Sequence, residues 1–142
     1  KMNISNTGID LIKHFEGCET EAYLCPAGVP TIGYGHIKGV QMGDVITEAQ
    51  AHEMLVEELE EYESYINDFV TVSLNQNQFD AMVSWVYNLG SGNLRASTLL
   101  KVLNSGNYSD VPEQIMRWNK AGGKVLEGLT RRRQAEANLF GH

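Results

Sequence analysis

Three residues that could perform acid–base chemistry lie within sixteen positions near the start of the 142-residue chain: Glu16, Cys25 and Thr31. A carboxylic acid can donate a proton to a leaving group, a thiol can act as a base or a nucleophile, and a hydroxyl can orient water. Taken singly, each also has a simpler interpretation: a surface acid, a buried small thiol and an ordinary strand residue. Together they favour a hydrolytic site in which an acid works opposite a water molecule.

Glu16 lies at the end of a stretch with helical periodicity, in which Ile9, Ile12 and Phe15 share one face. Gly17 occupies the position that a glycine commonly takes directly after a helix, so the sequence predicts that the first helix ends at Glu16. The helix dipole places partial negative charge near this carboxyl group, and its sequence neighbours are apolar. Both effects favour the protonated form of the acid, which a general acid needs.

Cys25 and Thr31 lie on the two arms of a predicted hairpin. Short strands are predicted at residues 23–24 and 31–32, with a turn at residues 26–28 that contains proline and glycine. Side chains on these two arms could therefore face the carboxyl group across a cleft.

The rest of the chain is predicted to be helical. Capping boxes that begin at Thr47 and Asn75 start two helices, and the first of these has an apolar face and a glutamate-rich, solvated face. Some twenty residues of helix span ~30 Å, enough to join two lobes. Shorter helices are predicted at residues 97–104, 110–118 and 130–139. The predicted fold class is α+β.

Length and composition indicate a single domain, residues 1–142, with lobes at approximately residues 14–46 and 70–142 plus the N-terminal helix. The net charge is −7, but it is distributed unevenly. Residues 1–94 contain three Lys or Arg and fourteen Asp or Glu, whereas residues 95–142 contain eight and four. The basic later part could attract an anionic partner, although most of these charges are explained as solvated helix faces.

Cys18 and Cys25 are the two cysteines, too few for a disulfide framework and without the spacing of a zinc site. A disulfide between them would block the proposed site, and Cys18 is expected to be a free thiol. No stretch approaches the ~18 apolar residues of a membrane span, and no signal-peptide pattern opens the chain. Synthesis in a reducing compartment fits these features.

The spacing Glu16-x8-Cys25-x5-Thr31, inside "EGCETEAYLCPAGVPTIGYGH", resembles the Glu-x8-(Asp/Cys)-x5-Thr signature of phage lysozymes, the endolysins of glycoside hydrolase family 24. The resemblance continues through "LNQNQFDAMVSWVYNLGSG", "STLL", "RWNKAGGKVLEGLTRRRQAE" and the "LF" near the end, in the order of the family. It covers nearly the whole chain.

The resemblance implies a muramidase that hydrolyses the β-1,4 bond between N-acetylmuramic acid and N-acetylglucosamine in peptidoglycan. It implies a lysozyme-like fold, with the long helix joining a small β-containing lobe to a larger helical lobe and the substrate cleft between them. Glu16 would be the proton donor, and Thr31 would help to position the attacking water.

Cys25 stands where many members of the family have aspartate, and it could act as a base, as a nucleophile or as a water-orienting group. An ordinary thiol has a pKa of ~8.5, and the charge of Glu16 is expected to raise the pKa of Cys25 further. The thiol would then be mostly neutral at pH 7, and the sequence leaves its role and the stereochemical outcome open.

Five further residues match positions of the family with a binding or supporting role. Tyr87, Asn88 and Thr98 match positions that line the saccharide cleft. His36 matches a salt-bridging support, although a lone histidine is more often structural. Arg131, the first of three consecutive arginines that compete for the role, matches the residue that pairs with the catalytic acid.

The resemblance implies no metal and no cofactor, and its partner is the peptidoglycan glycan strand. Nucleic-acid binding and stable membrane insertion are not expected, and the protein is expected to be a monomer. It would accumulate in the host cytoplasm and reach the wall after the inner membrane is breached. The alternatives are a lytic transglycosylase, which needs the acid alone, and a non-catalytic cell-wall-binding module.

Overall fold

The computed structural model describes the whole chain, Lys1–His142, as a set of α-helices with two small antiparallel sheets. This confirms the predicted α+β class. The elements in chain order are α1 (Asn6–Glu16), β1 (Glu19–Leu24), β2 (Pro30–Gly33), α2 (Glu48–Phe69), α3 (Gln76–Leu89), α4 (Ser91–Ala96), α5 (Thr98–Asn104), a 3₁₀ turn (Tyr108–Asp110), α6 (Val111–Met116), β3 (Lys120–Ala121), β4 (Lys124–Val125) and α7 (Glu127–Phe140).

Both predicted capping boxes are present. The Gln50 amide donates to Thr47 Oγ1 at 3.0 Å while the Thr47 amide donates to Gln50 Oε1 at 2.8 Å. The same exchange joins Asn75 and Gln78, with distances of 2.8 and 2.9 Å. Each box satisfies two backbone donors that have no partner within the first turn, which explains why α2 and α3 begin at these points.

Three features of the helical part differ from the predictions. α4 was not predicted, because Gly90 and Gly92 are typical of a loop; Gly90 has a φ of +87° and turns the chain before a new helix starts. β3 and β4, of two residues each, also carry too few residues for a pattern to show. α7 begins at Glu127, three residues before the predicted start. Gly128 lowers the local helix propensity, but packing of α7 against α3 and α6 outweighs it.

Two compact units make up the chain. We call Ile12–Glu60 the small unit, and Lys1–Leu11 together with Glu61–His142 the large unit. The N-terminal residues are held within the large unit: the Met2 amide donates to Asn67 Oδ1 at 3.0 Å, and the Ile4 amide donates to Glu63 Oε2 at 2.6 Å. None of the helices combines the length and the apolar character that a membrane crossing requires.

The core of the large unit forms where α7 packs against α3 and α6. Its largest fully buried apolar side chains are Ile66, Phe79, Met82, Trp85, Leu94, Leu99 and Leu103. The small unit has a smaller set of such side chains: Ile12, Ile32, Leu55 and Leu59. Backbone hydrogen bonds and turns are therefore more important for the structure of the small unit than for that of the large unit.

Candidate active site

The predicted hairpin is confirmed, with strands longer than the pattern indicated. β1 pairs with β2 in antiparallel register, Tyr23 opposite Thr31. Cys25 is the first residue after β1. Its amide donates to the Val29 carbonyl at 3.1 Å and its carbonyl accepts from the Gly28 amide at 2.7 Å. Gly28 has a φ of +78°, which a glycine adopts without strain. The result is a tight loop that holds the thiol at its first position.

Thr31 lies on the second arm of the hairpin and is buried, with 3% of its surface exposed. Its hydroxyl donates to the Val29 carbonyl at 2.9 Å, and it also lies within hydrogen-bond reach of the Cys25 sulfur. A hydroxyl has one proton, so Thr31 can donate to the carbonyl or to a thiolate, but not to both at once. The structure therefore brings Cys25 and Thr31 together, as the sequence predicted.

The pKa of Cys25 is lowered from its ordinary value, contrary to the prediction that the charge of Glu16 would raise it. The largest cause is the backbone N–H of Val29, followed by that of Ala27, and the Thr31 hydroxyl contributes in the same direction. These donors stabilise the thiolate more than partial burial disfavours it. The prediction was wrong because the turn residues were considered for their shape and not for the donors they present.

Glu16 is the last residue of α1, as predicted, and Gly17 follows with a φ of +70° and donates its amide to the Lys13 carbonyl at 2.9 Å. The Glu16 side chain is half-buried. Gly35 approaches it closely, because a Cβ built on Gly35 would lie 3.1 Å from Glu16 Oε1. Sequence reasoning did not single out Gly35; the Gly-Tyr-Gly spacing was the available signal.

The Tyr23 phenol is affected by the charges of both proposed catalytic groups. Its pKa is raised, first by burial and then by the negative charges of Glu19, Cys25 and Glu16, in that order. The negative charges of the proposed acid and of the proposed thiolate thus both raise the pKa of this one hydroxyl. This places Glu16 and Cys25 in one electrostatic neighbourhood of the small unit.

His36 connects the end of the sheet region to α2. Its Nδ1 lies 3.2 Å from Glu58 Oε2 and its Nε2 lies 3.0 Å from the Lys38 carbonyl oxygen. Both ring nitrogens face acceptor oxygens, so only the doubly protonated ring donates to both. The supporting role of this histidine in catalysis stays a prediction.

The three residues predicted to bind saccharide all belong to the large unit. Tyr87 makes an edge-to-face contact with Tyr62, with ring centroids 5.0 Å apart. Asn88 is exposed, and its Oδ1 accepts from Arg133 Nη2 at 2.8 Å. Thr98 is the exposed first residue of α5. Their role in binding stays a prediction.

The three consecutive arginines have different surroundings. Arg131 is 65% exposed and forms an ion pair with Glu127 at 3.4 Å. Arg132 and Arg133 are buried in the large unit. The pairing of Arg131 with the catalytic acid stays a prediction.

A buried ionic cluster in the large unit was missed by the sequence reasoning. Glu136 has no exposed surface and accepts from Ser84 Oγ at 2.6 Å, with Arg133 Nε at 2.8 Å and Arg132 Nε at 3.2 Å. Burial raises the pKa of Glu136, and the two guanidinium groups oppose that shift. The available signal was the i,i+3 and i,i+4 spacing from each arginine to Glu136.

Cys18 and Cys25 are both free thiols, and Cys18 is exposed. The sequence favoured a free Cys18 over a disulfide, and the structure confirms it. The thiol of Cys25 is therefore available for chemistry.

Comparison with known proteins places the chain in a family. The sequence model described as phage lysozyme matches residues 13–136. The endolysin of Acyrthosiphon pisum secondary endosymbiont phage 1 is 46% identical over 143 residues, which cover 98% of each chain. The endolysin of Bacillus phage B103 is 45% identical over 98% of this chain but only 54% of its own, so the chain spans about half of that relative. A crystal structure of a mutant of P22 lysozyme superposes with a TM-score of 0.91 at 40% identity, covering all of both chains. The chain therefore belongs to the phage lysozyme family, a family of glycoside hydrolases that cleave peptidoglycan.

Proposed function

We propose that this chain is an endolysin that hydrolyses the β-1,4 bond between N-acetylmuramic acid and N-acetylglucosamine in peptidoglycan. The observation that carries the proposal is the hairpin, which presents Cys25 and Thr31 side by side in the same compact unit as Glu16. An acid together with a group that can activate or hold water is the minimum that glycoside hydrolysis requires.

Glu16 is the general acid of the proposed reaction. Its carboxyl proton passes to the glycosidic oxygen as the bond between that oxygen and the anomeric carbon breaks, so the leaving sugar departs as a neutral alcohol. Positive charge develops on the sugar ring, and the new carboxylate stabilises it. General acid catalysis of this kind contributes ~10²–10⁴-fold.

Cys25 either activates the water that attacks the anomeric carbon or attacks that carbon itself. The donors of its loop lower the pKa of the thiol, so a larger fraction is thiolate near neutral pH than for an ordinary cysteine. This supports a base, which takes a proton from the attacking water, or a nucleophile, over a neutral water-orienting group.

Thr31 serves the same step as a positioning group. When its hydroxyl donates to the Val29 carbonyl, its oxygen lone pairs are left to accept a hydrogen bond from water. When Cys25 is a thiolate, the same proton can turn toward the sulfur. The hydroxyl thus suits both the orientation of water and the stabilisation of the thiolate.

The remaining assigned residues bind or support. Tyr87, Asn88 and Thr98 contact the saccharide, and Asn88 is oriented for this by the hydrogen bond from Arg133. His36 fixes the chain after β2 through Glu58. Arg131 is assigned to support of the acid.

The peptidoglycan glycan strand is the partner, and the protein acts as a monomer without binding nucleic acid or inserting stably into a membrane. It accumulates in the host cytoplasm and acts on the wall once the inner membrane is breached. No metal or cofactor takes part in the proposed chemistry.

Mass spectrometry of digested peptidoglycan tests the proposal. Purified protein is incubated with insoluble peptidoglycan, and the soluble products are analysed with and without borohydride reduction. Reducing muropeptides that gain two hydrogens are the expected result. Anhydro-muropeptides would assign a lytic transglycosylase, and the absence of soluble products would assign a non-catalytic binding module.

A further inference from the structure

A three-residue loop closes against the proposed acid. Ile32 and His36 exchange both backbone hydrogen bonds, each at 2.9 Å, so the residues between them form a tight turn. Gly35 ends this turn with a φ of +87°. Its α-carbon faces Glu16, and a Cβ at that position would lie 3.1 Å from Glu16 Oε1 and 4.0 Å from Glu16 Cδ.

The residues on both sides of Gly35 are held by contacts, which restrict movement of Gly35 away from Glu16. Tyr34 is buried, and Lys13 Nζ, on the same helix as Glu16, lies 5.4 Å from the centroid of its ring. On the other side, His36 contacts Glu58 of α2. The separation between the turn and the end of α1 is therefore fixed by neighbours of both.

We propose that Gly35 is a positioning residue for Glu16: its bare α-carbon sets the place of the carboxyl group and leaves the space that the carboxyl needs. The inference rests on the proposed function, in which Glu16 is the proton donor. A contact of 3.1 Å is tighter than nine in ten contacts that real Cβ atoms make, so a methyl group there shifts the carboxyl by a few tenths of an ångström. Misplacing a catalytic group by about 1 Å can cost ~10²-fold in rate.

A matched pair of variants tests the inference. Gly39 has a φ of +71°, and a Cβ built there meets no atom within 4 Å. Gly35→Ala and Gly39→Ala therefore impose the same kind of backbone strain, but only the first adds a methyl group beside the acid. Both proteins are assayed on soluble glycan strands for kcat, KM and thermal midpoint.

Because the shift is a fraction of 1 Å, the expected result is that Gly35→Ala lowers kcat roughly threefold to tenfold with KM within about twofold of wild type, while Gly39→Ala stays within about twofold in both. The two variants should lose similar amounts in thermal midpoint.

Each other outcome counts against the inference in a recognisable way. Equal kcat for the two variants would overturn it, and so would a Gly35→Ala chain that unfolds while Gly39→Ala folds, since Gly35 would then be purely structural. A wild-type protein that releases no reducing ends would remove the proposed function and this inference with it. If the wild type is active and the two variants have equal kcat, the proposed function stands and only the inference about Gly35 is wrong.

Discussion

The small and large units differ in what fixes their side chains. In the small unit, residues 12–60, nine Asp or Glu accompany two Lys, and seven of the nine large exposed apolar side chains of the chain lie there. The large unit carries nine Lys or Arg and nine Asp or Glu, and most of the large buried side chains. Tight turns and backbone donors position the chemistry of the small unit, whereas side-chain burial stabilises the large unit.

This difference implies that the two units respond differently to substitution. Changes at the turns of the small unit should affect the rate more than the stability, because few buried contacts are lost there. Changes in the core of the large unit should affect stability first, because cavities are costly in close-packed interiors.

The largest effect is expected from Glu16→Gln, which keeps the shape of the side chain and removes its transferable proton. Muralytic activity should fall by ~10²–10⁴-fold with the thermal midpoint nearly unchanged. Glu19→Gln is the matched control, since Glu19 is an exposed acid in the same unit. A Glu16→Gln variant that keeps more than about a tenth of wild-type turnover would be incompatible with a sole proton donor.

A second comparison places one truncation in each unit. Phe79→Ala removes a ring that is 1% exposed, and it should cost ~3–5 kcal/mol of the free energy of unfolding. Leu24→Ala removes a side chain that is 56% exposed in β1 and should cost less than ~0.5 kcal/mol. Urea unfolding measures both, and similar losses would contradict the burial assigned to the two side chains.

Substitution of Cys25 sharpens the role of the hairpin. Cys25→Ala should lower activity at least tenfold, about 1.4 kcal/mol of barrier, while Cys25→Asp should stay active because a carboxylate can also take a proton from water. Cys25→Ser separates the remaining roles: serine can orient water but is a far poorer base. Serine should therefore resemble alanine if the thiolate acts, and full activity of Cys25→Ala would reduce Cys25 to packing.

The lowered pKa of Cys25 predicts a smaller, measurable shift. In a Cys18→Ser background, the rate of alkylation of Cys25 should reach half its maximum at a lower pH than that of a free peptide with the sequence of the loop. Thr31→Val removes one donor to the thiolate, so the midpoint should move back to higher pH. A midpoint above that of the peptide would contradict the assigned donors.

The smallest effect concerns salt. The acidic small unit repels an anionic polymer, while the basic residues 95–142 attract it. Screening weakens both interactions over ~10 Å at 0.1 M salt, so activity should pass through a modest maximum at intermediate ionic strength. A monotonic decrease from very low salt upward would show that attraction alone governs binding.

Features with local signals could be predicted from the sequence. The end of α1 at Glu16, the hairpin around Cys25 and the capping boxes at Thr47 and Asn75 each depend on residues within a few positions of one another. The family resemblance, confirmed by the comparisons, supplied the function. These predictions located the backbone elements that carry the candidate site residues.

Features that depend on residues distant in sequence could not be predicted from the sequence. Gly35 and Glu16 lie nineteen positions apart in the sequence, and Glu136 and Ser84 lie 52 positions apart. The lowered pKa of Cys25 follows from the direction of N–H groups in the turn, which a residue pattern does not specify. Both the position of the acid and the ionisation of the thiol therefore depend on the three-dimensional structure.

The division of the chain also has a consequence for its synthesis on the ribosome. The first eleven residues belong to the large unit, whose remaining residues begin only at Glu61. The Ser5 amide donates to Asp80 at 3.0 Å, and this bond can form only after Asp80 has been synthesised. The residues of the small unit, in contrast, follow one another without interruption in the nascent chain. The large unit can therefore be completed only after α3 has been synthesised.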